Sequence, residues 1–184
     1  MNETQKQYLL QLARSSILSY LETDTVLLPP KPSDSDLLAE RAVFITLTKF
    51  GDLRGCIGHM QAREPLYKAV VEMAIAAATE DGRFHRVTSR EMEQINISIS
   101  ILSPMQKIED WQDIRLGIDG VWVRRGFRNG VFLPQVATET GWSLETFLQH
   151  LCRDKAGLDS FAYKDKEVEL YIFQVDIIEE EEDR

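Results

Sequence analysis

Ile95-Asn96-Ile97-Ser98-Ile99-Ser100-Ile101-Leu102-Ser103 is the stretch that decides the fold class. Isoleucine alternates with a short polar residue, the period of two expected of a strand with one face in a core. Strands of a doubly wound parallel sheet are buried on both faces and read as unbroken apolar runs. This one is polar on one side. It therefore predicts an antiparallel sheet with an open face, on which Asn96, Ser98 and Ser100 stand against water or a site.

The neighbouring segments supply the rest of an α+β domain. Val43 to Lys49 is β-branched and aromatic, as strands are. Gly51-Asp52 reads as a turn, and Leu53 to Gly58 as the returning strand. Pro65, suited to a first helical position, opens a helix from Leu66 to Thr79 whose alanines keep it slim enough to lie close to a sheet. Thr88 and Glu91 have capping-box spacing and predict a short helix. Upstream, Leu9, Leu12, Ala13, Ser16, Ile17, Tyr20 and Leu21 give one apolar helical face within Tyr8 to Leu21. Residues 22–38, with Pro29, Pro30, Pro32 and several Ser and Asp, read as a loop. Downstream, Gly120 to Arg125 and Val131 to Leu133 suggest a hairpin. Ser143 is placed to cap a helix through Lys155, Val168 to Ile178 reads as one last strand, and 179–184 as an acidic tail. Strands and helices that do not strictly alternate give an α+β class with a mainly antiparallel sheet and flanking helices.

The chain has 184 residues, 43% hydrophobic and 28% charged, enough for one globular domain with a real core. Lys and Arg number 21 against 30 Asp and Glu, a net charge of −9. That excess argues against a protein that tracks nucleic-acid phosphates or adsorbs to anionic membranes. Arg124, Arg125 and Arg128 form a local basic cluster, read as a solvated hairpin. Met1 to Gln7 are polar, no apolar export leader follows, and the longest apolar run is Met73 to Ala78. A cytoplasmic location is expected, with no membrane partner and with Cys56 and Cys152 as thiols.

The densest chemical cluster is Leu53-Arg54-Gly55-Cys56-Ile57-Gly58-His59. Glycine weakens a strand, so Gly55 and Gly58 predict a bulge, a close backbone approach, or a ligand that needs access to the backbone. Arg54 beside Cys56 could favour a thiolate. The competing reading is that Cys56 is a small packed side chain. Cys152, on an apolar helix face, reads as core. Thr79-Glu80-Asp81-Gly82-Arg83-Phe84-His85 ends the alanine-rich helix. Asp81 and Arg83 are there either a surface ion pair or a wall facing Arg54 and Cys56. No Cys-x-x-Cys, His-Glu-x-x-His, Walker or dinucleotide signature appears, and no metal site is expected.

Leu53-Arg54-Gly55-Cys56-Ile57-Gly58, Asp81, Arg83-Phe84, Ile97 to Ser103, Leu133-Pro134-Gln135-Val136-Ala137 and Cys152 through Leu158 together resemble the AmmeMemoRadiSam system protein A family, the AMMECR family. The likeness runs over roughly residues 40–160. It implies one α+β domain of a larger and a smaller subdomain, with the hallmark near a cleft between them. It also implies a cytosolic protein associated with a Memo-like protein and a radical-SAM enzyme. His59 stands where the family leads one to expect a small hydroxyl residue, and His85 where it leads one to expect proline. Two functions follow from the residues. In one, the chain is an enzyme or enzyme component: Cys56 is the reactive thiol, Arg54 its electrostatic partner, and Gly55, Gly58, Asp81, Arg83, Asn96, Ser98 and Ser100 the binding surface. In the other, the chain is a non-catalytic interaction or regulatory module with Cys56 packed inside. Neither the residues nor the resemblance assigns a cofactor or a small-molecule ligand.

Overall fold

The computed structural model describes residues 1–27 and 29–180. Two compact units make up this chain, one of residues 1–102 with 176–180, the other of Ser103–Val175.

The first unit is built on a four-stranded antiparallel sheet of order β2-β1-β3-β8, with β1 Val43–Lys49, β2 Asp52–Gly58, β3 Ile95–Leu102 and β8 Val175–Glu179. Two helices, α1 Glu3–Thr23 and α3 Leu66–Thr79, cover one face. Val43, Ile45 and Leu47 of β1 and Ile95, Ile97, Ile99 and Ile101 of β3 pack there with Leu9, Ala13 and Ile17 of α1 and Ala69, Val70, Ala74 and Ala77 of α3. The alternation in β3 is thus read correctly: its isoleucines are the core face.

Local chemistry sets the element ends. Helix α1 begins earlier than its apolar face because Asn2 and Gln5 form a reciprocal capping box. Pro65 is the residue before α3 rather than its first turn. The β1–β2 turn is Phe50-Gly51, both at positive φ (53° and 85°), and β2 resumes at Asp52. Within 22–38 the chain is not loop throughout: Asp34 caps a short helix α2, Ser35–Leu38, by accepting from the Asp36 N–H. The Thr88–Glu91 signal produces a 3₁₀ turn at Glu91–Gln94.

The acidic tail needs a larger correction. Glu179 ends β8, and the Glu180 carboxylate takes Arg14 Nε at 2.6 Å and Nη2 at 2.5 Å and the Ile97 N–H at 2.8 Å. Arg14 also donates to the Met92 and Ile95 carbonyls. Glu180 is therefore part of the fold; residues 181–184 lie outside the described residues.

The second unit carries the sheet β4-β7-β5-β6: β4 Gln106–Ile108, β5 Gly120–Arg125, β6 Arg128–Phe132 and β7 Glu169–Phe173. Helices α4 Pro134–Thr140 and α5 Leu144–His150 pack on it around Phe147, Leu148 and Cys152. The helix capped by Ser143 continues as a π-helical turn, Leu151–Lys155. The expected single strand from Val168 to Ile178 is two strands in two different sheets, broken at Gln174. Arg124, Arg125 and Arg128 are exposed on the β5–β6 hairpin, and Arg125 pairs with Asp165 and Glu167.

Among the described residues no helix is long and apolar enough to cross a membrane.

Candidate functional site

Every site residue named from the sequence lies in the first unit. The organising feature is a β-bulge. Lys49 and Thr48 pair with Asp52 and Leu53, but Leu47 pairs with Gly55, so Arg54 is one residue too many on β2. The bulge resets the register. Cys56 comes opposite Thr46 of β1, and Thr46 is opposite Ser98 of β3. Cross-strand partners share a face. Cys56, Thr46 and Ser98 therefore form a row across three strands, on the face away from the helices.

Strand β2 is at the sheet edge, and its outward backbone groups need partners. At Cys56 the loop after α3 supplies them. Asp81 Oδ2 accepts the Cys56 N–H at 2.9 Å, and Arg83 Nη2 donates to the Cys56 carbonyl at 3.4 Å. Since both groups point off the edge, Cys56 and Thr46 are a non-hydrogen-bonded pair, the kind whose side chains approach most closely. The Thr46 hydroxyl donates to Cys56 Sγ at 3.3 Å. All the polar groups of this half-buried cysteine are thus held.

Asp81 is only 7% exposed. Its carboxylate accepts Arg83 Nε at 2.9 Å and Arg83 Nη2 at 2.6 Å, and also the Arg83 N–H. This bidentate guanidinium is the main reason its pKa lies far below the usual carboxylate range; burial opposes the shift and the Cys56 N–H adds to it. The sequence set Asp81 and Arg83 either as a surface pair or as a wall facing Cys56. They are an ion pair that seals the strand edge at Cys56.

Arg54 has a different partner from the one expected. Its Nε and Nη2 donate to Glu91 at 3.3 Å each, and its guanidinium carbon is 6.0 Å from the Phe84 ring centre. Glu91 also accepts from Lys49 Nζ at 3.2 Å and from the Thr88 N–H at 3.0 Å. Burial alone would raise the pKa of Glu91, but these donors outweigh it and hold it at about 2. The guanidinium that touches Cys56 is Arg83's.

The two glycines answer to packing. A Cβ on Gly55 would collide with the Ala77 carbonyl oxygen of α3, and one on Gly58 with the Phe44 ring and the Val43 carbonyl. A bulge and a close backbone approach, two of the three explanations offered by the sequence, are both present. On β3, Asn96 donates to the Glu180 carbonyl at 3.4 Å and Ser98 is half-buried. Ser100, expected to stand against water or a site, is buried at 7%, directly opposite Phe44. Both ring nitrogens of His59 are buried without a hydrogen-bond partner among the described residues. Cys152 is fully buried in the second unit, and burial pushes its thiol up to about 11. Among the described residues no three His, Cys, Asp or Glu side chains gather as a metal site would require.

Thr46 is the site residue missed from the sequence. A regular hairpin closed at Phe50-Gly51 would set it against Gly55, and only the bulge brings it to Cys56.

A family model, AMMECR1, matches residues 10–178. Protein MK0488 of Methanopyrus kandleri is 42% identical over 185 residues, covering 96% of this chain and 88% of its own. A protein of Methanothermobacter thermautotrophicus is 41% identical over 179 residues, covering 94% and 93%. The crystal structure of Uncharacterized Protein PH0010 from Pyrococcus horikoshii superposes with a TM-score of 0.89 at 36% identity, over 98% of this chain and 94% of that one. The extent of these matches places the chain in the AMMECR1 family.

Proposed function

We propose that this protein is an enzyme or enzyme component whose working group is the Cys56 thiol. It acts in the cytoplasm with a Memo-like protein and a radical-SAM enzyme, as the family resemblance implies. One observation carries the reading: Cys56 is gripped at its N–H by Asp81, at its carbonyl by Arg83 and at its sulfur by the Thr46 hydroxyl. The first two contacts serve the backbone of an edge strand; the third is made to the thiol itself, which a cysteine serving only as filler does not need. The Thr46 hydroxyl is placed to stabilise negative charge that develops on the sulfur in a reaction.

The test is alkylation by iodoacetamide at pH 8, resolved by peptide mass. Cys56 is expected to react in the folded protein while Cys152 stays silent until unfolding. Thr46→Val, which removes the donor and keeps the shape, should slow Cys56 several-fold. Equal rates for the two cysteines in the folded protein would end the thiol reading. The alternative is a non-catalytic interaction or regulatory module in which Cys56 is a packed side chain. It would then lead.

A further inference from the structure

We propose that the surface next to Cys56 is an anion-binding subsite, which makes the substrate class a small molecule carrying a carboxylate or phosphate group. The inference rests on the reading of Cys56 as the working group for its meaning, though not for its test.

A cavity of about 380 Å³ is lined by Arg54, Gly82, Arg83, Phe84 and His85. That volume suits a small ligand, and among the described residues no carboxylate lines it. Two guanidiniums do. Each is fixed on one side and open on the other. Arg83 gives Nε and Nη2 to Asp81, and Nη2 also to the Cys56 carbonyl. Arg54 gives Nε and Nη2 to Glu91, and Nη2 also to the Arg86 carbonyl at 3.5 Å. Among the described residues neither Nη1 has an acceptor.

The ring of Phe84 steadies both, with the guanidinium carbons of Arg54 and Arg83 at 6.0 Å and 5.4 Å from its centre. Two arginines that line one cavity, each held by its own carboxylate and beside one aromatic ring, are pre-organised for a forked oxyanion.

The local charge does not cancel. Asp81 neutralises Arg83, but Glu91 is shared between Arg54 and Lys49. One positive charge is left without a counter-ion in this network. Arg54, whose side chain is only 16% exposed, carries part of it in a partly dry setting, where an arriving anion is attracted more strongly than in bulk water. The site is also adjacent to the chemistry: the guanidinium that would hold the anion already touches the carbonyl of Cys56.

The experiment uses the full chain with Cys56→Ser, which binds but cannot perform thiol chemistry. Amide chemical shifts are followed while inorganic phosphate or acetate is added at constant ionic strength, with chloride as the third arm. Saturable shifts at Gly82, Arg83, Phe84 and His85 are expected for phosphate, acetate or both, and which one saturates identifies the oxyanion. Arg83→Gln should weaken binding by about tenfold or more, and Arg83→Lys by less. His85 is exposed, so His85→Glu should leave the fold intact and abolish binding by placing a negative charge on the rim. Shifts that do not saturate, that chloride reproduces, or that survive both Arg83→Gln and His85→Glu would overturn the proposal. Because Cys56 is absent from the test, loss of anion binding leaves the thiol reading standing. Failed alkylation likewise leaves the anion site standing.

Discussion

Glu91→Gln isolates the charge network behind the site, and its effect has a calculable pH dependence. Glu91 serves Lys49, Arg54 and the Thr88 N–H at once. Its pKa falls from the ordinary 4.5 to about 2 on folding. At roughly 1.4 kcal/mol per pH unit, that difference caps its charge-linked contribution at about 3 kcal/mol. Its side chain is 23% exposed, so solvent screening brings the expected value to about 1–3 kcal/mol. The folded pKa is the depressed one. The contribution is therefore complete above pH 4.5 and lost as pH falls toward 2. By pH 3 more than half of it is gone. Wild type and Glu91→Gln should accordingly differ by about 1–3 kcal/mol in urea melts at pH 7, and the gap should close by more than half at pH 3. Asp81, Asp119 and the other low-pKa carboxylates titrate in both proteins and cancel in the difference. A gap that is the same at both pH values would mean that Glu91 acts only as a neutral cap on the turn after Thr88. That outcome would also remove the charge argument for Arg54.

Gly55→Ala should cost about 1–3 kcal/mol or more in denaturant melts, because its methyl must displace the Ala77 carbonyl of α3 rather than a movable side chain; an unchanged midpoint would refute the close approach. At the other end of the chain, deletion of residues 181–184 should leave the thermal midpoint within a degree or so, whereas Glu180→Ala should lower it by several degrees, since Arg14 and the Ile97 N–H lose their acceptor. Equal midpoints for these two proteins would show that the Arg14–Glu180 pair does not hold β8.

What was legible in the sequence was what local pattern encodes. The isoleucines of β3 declare their period and are buried as it requires, and the alanines of α3 announce a slim helix that is buried nearly all round. Asn2-x-x-Gln5 and Asp34 are local signals too, but the reading from Tyr8 and the loop over 22–38 passed over them, and they mark helix starts. The misread elements depend on distant partners. Val168 to Ile178 is one uninterrupted β-rich run, and nothing in it says that the chain changes sheets at Gln174. Glu180 looked like one member of a solvated acidic run because its partner, Arg14, lies at the other end of the chain. A charge run reads as tail until a cation from a distant element, here the half-buried Arg14, claims one of its members.

The site was half legible for the same reason. The hallmark glycines announced an irregular strand, and one of the two readings of Asp81 and Arg83 set them opposite it from a segment 25 residues away. Their role was not visible, because capping the free edge of β2 depends on β2 being the outermost strand. Glu91 was seen only as a capping-box residue. It is one, since it accepts the Thr88 N–H, and the same carboxylate also binds Arg54 and Lys49. Thr46 shows where pattern reading ends. Its place beside Cys56 depends on a register shift of one residue, and a shift of one moves every following side chain to the other face of a strand. Without the extra residue at Arg54, Cys56 would face Ile45 and the α3 side, as a packed thiol should. With it, the sulfur lies on the polar face beside the Thr46 hydroxyl, while Gly55 takes the crowded place under Ala77. The bulge thus accounts together for the glycine that must be small, the arginine that turns toward Glu91, and the cysteine that is turned outward.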